Sequence, residues 1–196
     1  PAWDESSEAE WVARKSREVI ERGEGGENIA VLYRANFQSR VLEEAFLKEG
    51  VTYNLLGTKF FERKEIKDVL SYLRAALNRD SQPDLRRVFD TPKRGIGKVT
   101  IAKLFAKELL SGSAEAKVQT VFDFLDALAT TLDTEPHSHV IQMIIVDSGM
   151  EKEMLEGSSE DRERLENARE LVSLTVKYDG APGITIVQDF LEEVSL

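Results

Sequence analysis

The chain has 196 residues, 41% of them apolar and 32% charged, with a net charge of −10 and no cysteine. That supplies apolar material for one large domain, or for one domain and part of another, in a helix-rich soluble protein. Disulfides and thiolate metal sites are excluded. No apolar run approaches the ~20 residues of a membrane span, and the opening residues do not read as a signal peptide. A cytoplasmic location without a membrane partner is therefore expected. The first residue is Pro1 and the closing segment, 189–196, reads as unfinished, so a piece excised from a longer protein is expected.

Ser7 with Glu10 reads as a capping box at the head of a helix over 8–22. The run Glu24-Gly25-Gly26-Glu27 ends it. Asn28-Ile29-Ala30-Val31-Leu32-Tyr33 is a short apolar run with β-branched residues between turn signals, which predicts a buried strand of a parallel sheet. A helix over 39–48 places Val41, Leu42, Ala45 and Phe46 on one face, with Gly50 as its stop. Residues 53–56 predict a second short strand ending at Gly57. The α-β-α-β order marks residues 1–56 as part of an α/β layered domain.

Beyond Gly57 the pattern becomes helical throughout. Ile66, Val69, Leu70, Leu73 and Leu77 recur at helical spacing over 64–77, and Ile101, Leu104, Phe105 and Leu109 do so over 99–110. Further helices are predicted over 120–132, 140–148, 162–178 and 185–194, with polar connectors at 111–117 and 134–138. The predicted fold class is mainly α: an incomplete α/β portion, then an all-helical domain of six or more helices over 57–196.

The segment Thr91-Pro92-Lys93-Arg94-Gly95-Ile96-Gly97-Lys98-Val99-Thr100 is the most informative. Two glycines let the backbone turn tightly and approach a ligand closely. A helix start directly after them presents unpaired N–H groups and the positive end of the dipole, which suit a phosphate. Lys93, Arg94 and Lys98 add positive charge. The pattern resembles the hairpin of a helix-hairpin-helix element, which holds a nucleic-acid backbone without reading bases. The alternative is a glycine turn flanked by solvated lysines. Residues 84–107 hold seven basic and two acidic residues, a local +5 against −15 for the rest of the chain. Binding follows the local field as well as the total. A nucleotide phosphate loop, G-x-x-x-x-G-K-[ST], is not present: Pro92 stands where its first glycine belongs and Val99 where its hydroxyl belongs.

Tyr33-Arg34-Ala35-Asn36-Phe37-Gln38-Ser39-Arg40 follows the first predicted strand, where ligand-binding groups of α/β sheets gather. Arg34 and Asn36 suit phosphates and Phe37 a base face; alternatively Asn36 or Ser39 caps the next helix and Arg34 is solvated. Phe60-Phe61-Glu62-Arg63-Lys64-Glu65-Ile66-Lys67-Asp68 reads as a structural hinge rather than a catalytic segment, with Glu65 pairing along its helix. His137 and His139 read as exposed loop residues, and residues 151–170, with eight acids and four bases, as a solvated helix face.

Three of these segments resemble ordered motifs of the UvrD/PcrA/Rep superfamily 1 DNA helicases. Residues 29–40 look like motif IVa, residues 53–68 like motif IVb, and Thr91-Pro92-Lys93-Arg94-Gly95-Ile96-Gly97 like motif IVc with its Gly-Ile-Gly hairpin. The resemblance is strongest from Asn28 to Leu104 and is closer to UvrD and PcrA than to Rep. It implies that residues 1–56 are part of the RecA-like domain 2A and residues 57–196 the helical domain 2B. It implies single-stranded DNA contacts at Arg34 and Asn36. It implies duplex contacts at Lys93, Arg94, Gly95, Ile96, Gly97, Lys98 and Thr100, and a hinge at Gly57, Phe60 and Phe61. Gly57-Thr58 departs from the family's usual Gly-Gly, which puts the hinge motion in doubt.

The resemblance further implies a parent that is an ATP-driven 3′-to-5′ DNA helicase using ATP and magnesium. The chain itself has no Walker A loop, no Asp-Glu motif and no arginine-finger motif, so no cofactor, no metal site and no ATPase activity are expected of it. The expected partners are duplex and single-stranded DNA without sequence preference, repair or replication proteins, and further copies of the chain. Two other readings stay open: a stand-alone helix-hairpin-helix DNA-binding module, and a helical protein-interaction or autoinhibitory domain.

Overall fold

Asp4 caps the first helix, α1 (Glu5–Glu21), by accepting the Ser7 N–H at 2.7 Å, so the cap precedes the expected Ser7–Glu10 box and the helix starts a turn earlier. The computed structural model describes residues 4–180 and 183–193. The expected last helix therefore runs past the described residues at position 194. The chain divides after Arg63 into two units.

In the first unit α1 packs on α2 (Ser39–Lys48). Ala9 and Ala13 of α1 meet Ala45 and Phe46 of α2 and Val51 beyond it, with Val31 and Tyr53 packed against the same core. Alanines on α1 let the two helices approach closely, and the rim is tied by Lys48–Glu10 and Arg17–Glu49, both at 2.6 Å. The two expected strands do not form. Residues 29–35 and 51–56 run without a ladder, and no strand occurs among the described residues. The period-2 burial is nevertheless present: Val31 and Tyr53 face the core while Leu32 and Leu56 are 93% and 90% exposed. A strand exists only through its neighbour's N–H and C=O groups, and these two segments do not supply them to each other.

The second unit contains eight α-helices among its described residues: α3 (Lys64–Leu77), α4 (Gln82–Asp90), α5 (Lys98–Phe105), α6 (Gly112–Thr131), α7 (His137–Asp147), α8 (Met150–Glu156), α9 (Ser159–Thr175) and α10 (Ile184–Glu193). α3 is the central one, touching α4, α6, α7 and α9. Its buried residues run all round the helix, from Ile66 and Val69 to Tyr72, Leu73 and Ala76. That is the signature of a core helix rather than a half-buried one. Leu125 and Leu128 of α6, Ile141 and Ile144 of α7, and Ala168 and Leu171 of α9 close around it.

Other differences from the sequence reading have local causes. α5 stops at Phe105, where Lys107 takes a left-handed φ of 57°, instead of reaching 110. α6 begins at Gly112, so the expected connector 111–117 is helical. Glu65 does not pair along its own helix; it is buried and accepts from Asn167 Nδ2 of α9 at 2.6 Å. His137 is buried at the start of α7, its ring nitrogens 3.2 and 3.3 Å from the carbonyls of Tyr178 and Gly183, whereas His139 is exposed beside Glu135. α4 and α8 were not anticipated. No helix among the described residues is long and apolar enough to cross a membrane.

Candidate nucleic-acid interface

α4 and α5 are joined by residues 91–97, a short connection with a turn at its start. Gly95 sits at φ +66°, a left-handed conformation that favours glycine. Ile96 points inward and is buried, as is Ile101 one turn into α5, so an apolar pair anchors the turn from below. Gly95, Gly97, Lys93 and Lys98 lie exposed on the outer side, and Thr100 is half-buried. Gly97 is the N-cap of α5, with no side chain capping the helix. The first intrahelical bond runs from the Ile101 N–H to the Gly97 carbonyl, at 3.1 Å. The amides of Lys98, Val99 and Thr100 therefore precede the helix's own ladder. Gly97 has an ordinary φ of −78°, and an added Cβ would meet nothing within 4 Å. Neither backbone strain nor internal crowding calls for glycine there.

Arg94 has a different place from its neighbours. Its guanidinium turns inward and donates to the carbonyls of Val88 (2.8 Å), Pro92 (3.1 Å) and Ser148 (3.0 Å) and to the Tyr72 hydroxyl (2.7 Å). Tyr72, fully buried on α3, donates its own O–H to the Thr91 carbonyl at 2.7 Å. Burial raises the Tyr72 phenol above its ordinary range, so it stays a donor. Beside it Asp68, also buried, accepts from Arg87 at 2.6 Å and from the Thr91 hydroxyl at 3.3 Å. Burial pushes the Asp68 carboxyl up, against the opposing pull of Arg87. The hairpin thus stands on a network of hydrogen-bonded polar groups, the form in which buried charge is tolerated.

The turn between α7 and α8 completes the support. Ser148 receives Arg94, Pro92 lies 3.6 Å from where a Cβ on Gly149 would stand, and Glu153 of α8 accepts the Lys93 backbone N–H at 2.9 Å. On the other side Lys117 of α6 brings its Nζ to 3.0 Å from the Cβ position of Gly95. Arg86 of α4 covers the Phe105 ring at 4.7 Å, bracing the two hairpin helices.

The sequence profile of the UvrD-like helicase C-terminal domain matches residues 2–196. The chain belongs to the UvrD-like helicase family. It is 32% identical over 213 residues to the ATP-dependent DNA helicase PcrA of Bacillus subtilis, covering 98% of this chain and 29% of that protein. It is 34% identical over 218 residues to DNA helicase II of Salmonella typhimurium, covering 100% and 30% respectively. DNA helicase II of Escherichia coli is 34% identical over 197 residues, covering 90% and 27%. The chain spans under a third of the length of these relatives.

The other residues singled out in the sequence of this UvrD-like chain lie in the first unit. Arg34 is exposed, and its N–H and that of Ala35 are both held by the Gln38 side-chain carbonyl, at 3.1 and 3.0 Å. Asn36 opens a short 3-10 turn, Asn36–Gln38, that leads into α2. The N-cap position of α2 is Gln38, and Ser39 is buried and accepts from Arg63 at 2.9 Å. Gly57 has φ +135° with open space around it. Phe60 is buried and meets Phe61 edge-on at 5.1 Å, with Arg63 5.6 Å over the Phe60 ring. Among the described residues no cluster of His, Asp and Glu could hold a metal.

Two residues near the hairpin were not singled out by sequence. Lys117 fell in a presumed connector and Glu153 in a presumed solvated face. Each is brought there by helix packing from a distance in sequence, Glu153 from 60 residues beyond Lys93. No local pattern carries that information.

Proposed function

We propose that this chain is the accessory region of an ATP-dependent 3′-to-5′ DNA helicase, whose helical domain 2B holds the duplex backbone through the Gly95–Gly97 hairpin. Gly97 is the observation that carries the reading. Apart from glycine's modest advantage as an N-cap, ordinary backbone angles and empty space at its Cβ leave no structural need for glycine there. A phosphate drawn against the start of α5 does need that space clear. The grip consists of the leading amides of α5 and the ammonium groups of Lys93, Lys98 and Lys117. Arg94 acts from beneath, fixing the turn, and its charge adds to the local field.

Residues 1–56 are read as part of domain 2A, with Arg34 and Asn36 toward single-stranded DNA and Gly57, Phe60 and Phe61 at the hinge. Two extended segments with a core face and no partner strand among the described residues support an incomplete lobe over a self-sufficient binding module. ATP and magnesium belong to the parent's motor. Repair or replication proteins would be further partners, in a cytoplasmic setting.

Fluorescence anisotropy with two unrelated labelled duplexes tests the grip. Lys98→Ala and Lys117→Ala should each weaken both duplexes equally, because phosphate contacts carry no base information. Unchanged affinity in the double variant would overturn the reading.

A further inference from the structure

We propose that Glu153 is an internal stand-in for a DNA phosphate, its carboxylate holding the Lys93 N–H of the hairpin until duplex backbone displaces it. The proposal rests on the hairpin reading above. The Glu153 Oε2 lies 2.9 Å from the Lys93 nitrogen, and both residues are exposed. A carboxylate oxygen and a phosphate oxygen ask the same of a backbone amide: a short, charge-assisted bond from N–H to anion. The chain has placed an anion on a backbone amide of the turn that leads into the α5 N-terminus.

The neighbouring acid behaves differently. Glu151 of the same helix pairs with the Arg169 guanidinium at 2.8 Å. Glu153 instead accepts from a backbone amide of the 91–97 turn and makes no salt bridge among the described residues. Nor does the α7–α8 turn depend on that bond to stay in place. Arg94 holds the Ser148 carbonyl, and Pro92 packs by Gly149. Glu153 can therefore let go without releasing the turn.

The consequence is a built-in competitor. Duplex must displace one carboxylate before the Lys93 amide is available, and the displaced charge then faces the phosphates. Affinity is lowered and release is quickened. An exposed bond of this kind contributes little to stability, so it is easily exchanged.

The test compares Glu153→Gln, which keeps size and an acceptor but loses the charge, with Glu151→Gln as the matched control. Duplex affinity of the full chain is read by anisotropy, and thermal unfolding of each variant is recorded. Glu153→Gln should tighten duplex binding about threefold, in the range of one exposed charge pair, and Glu151→Gln should not. The gain should vanish when Gly97→Val is added. Independently, the Lys93 amide resonance of the unmodified chain should move as duplex is added. A parent chain that binds in a Gly97-dependent way, yet gains nothing from Glu153→Gln, makes Glu153 a structural clamp and overturns the proposal. So does a Lys93 amide that stays still at saturating duplex. A parent chain whose binding ignores Gly97 overturns the hairpin reading instead.

Discussion

Arg94 and the lysines around it have opposite work, and substitution separates them. Arg94→Ala removes four donated bonds and leaves three carbonyls and a buried phenol short of a partner. Bonds from a charged donor are worth about 1.5–3 kcal/mol each before neighbours relax, so a net loss of roughly 2–4 kcal/mol is expected in denaturant unfolding. Lys93→Ala, Lys98→Ala and Lys117→Ala remove exposed charge and should stay within about 0.5 kcal/mol. The two glycines separate likewise. Gly95→Ala forces a side chain into φ +66° and toward Lys117, at a cost of about 1 kcal/mol or more. Gly97→Ala at φ −78° should cost no more than about 1 kcal/mol, as a poorer N-cap. Asp68 adds a pH signature. Its carboxyl is raised by burial, so the folded chain keeps that proton to higher pH than the unfolded chain does. Its contribution to stability therefore falls as pH rises from its ordinary 3.8 through the folded value, and Asp68→Asn should remove that slope from stability measured against pH.

Among the elements, α2 and α3 were legible to the residue because each carries an apolar stripe and a clear boundary signal. The run 28–33 was read as a strand buried throughout, yet its burial alternates, with Val31 toward the core and Leu32 93% exposed. What such a run cannot say is whether a neighbouring strand exists to accept the hydrogen bonds, and none occurs among the described residues. α4 and α8 were missed for another reason. Both are short, and α8 is acid-rich, with burial only at Met150 by packing from elsewhere. The turn between α4 and α5 was legible from its glycines; the inward turn of Arg94 was not, because Tyr72 and Ser148 reach it from 22 and 54 residues away. The unpaired segments make an expectation of their own. Amides over 29–35 should exchange with deuterium far faster than those of α3, and solution mass should rise with concentration if the free edges pair between copies. Slow exchange there in a strictly monomeric chain would contradict an incomplete lobe.

At the scale of the molecule, the charge is divided unevenly along the sequence: +5 over residues 84–107 in a chain of −10. The fragment reading expects no phosphate release from ATP by the homogeneous chain, with or without single-stranded DNA. DNA-stimulated turnover would contradict it. The central claim is that the hairpin's cleared backbone and its three lysines hold a duplex. The most direct measurement is duplex affinity across a salt series for the chain and for Gly97→Val, with folding of both confirmed by unfolding curves. If Lys93, Lys98 and Lys117 each neutralise one phosphate, the log–log slope should be roughly −2.7, from ~0.9 per phosphate, for any duplex sequence. Gly97→Val, with a side chain where the phosphate should lie, should stay folded and lose binding at least about tenfold. A folded Gly97→Val that binds as tightly as the parent chain, with the same slope, would make the hairpin a turn and nothing more.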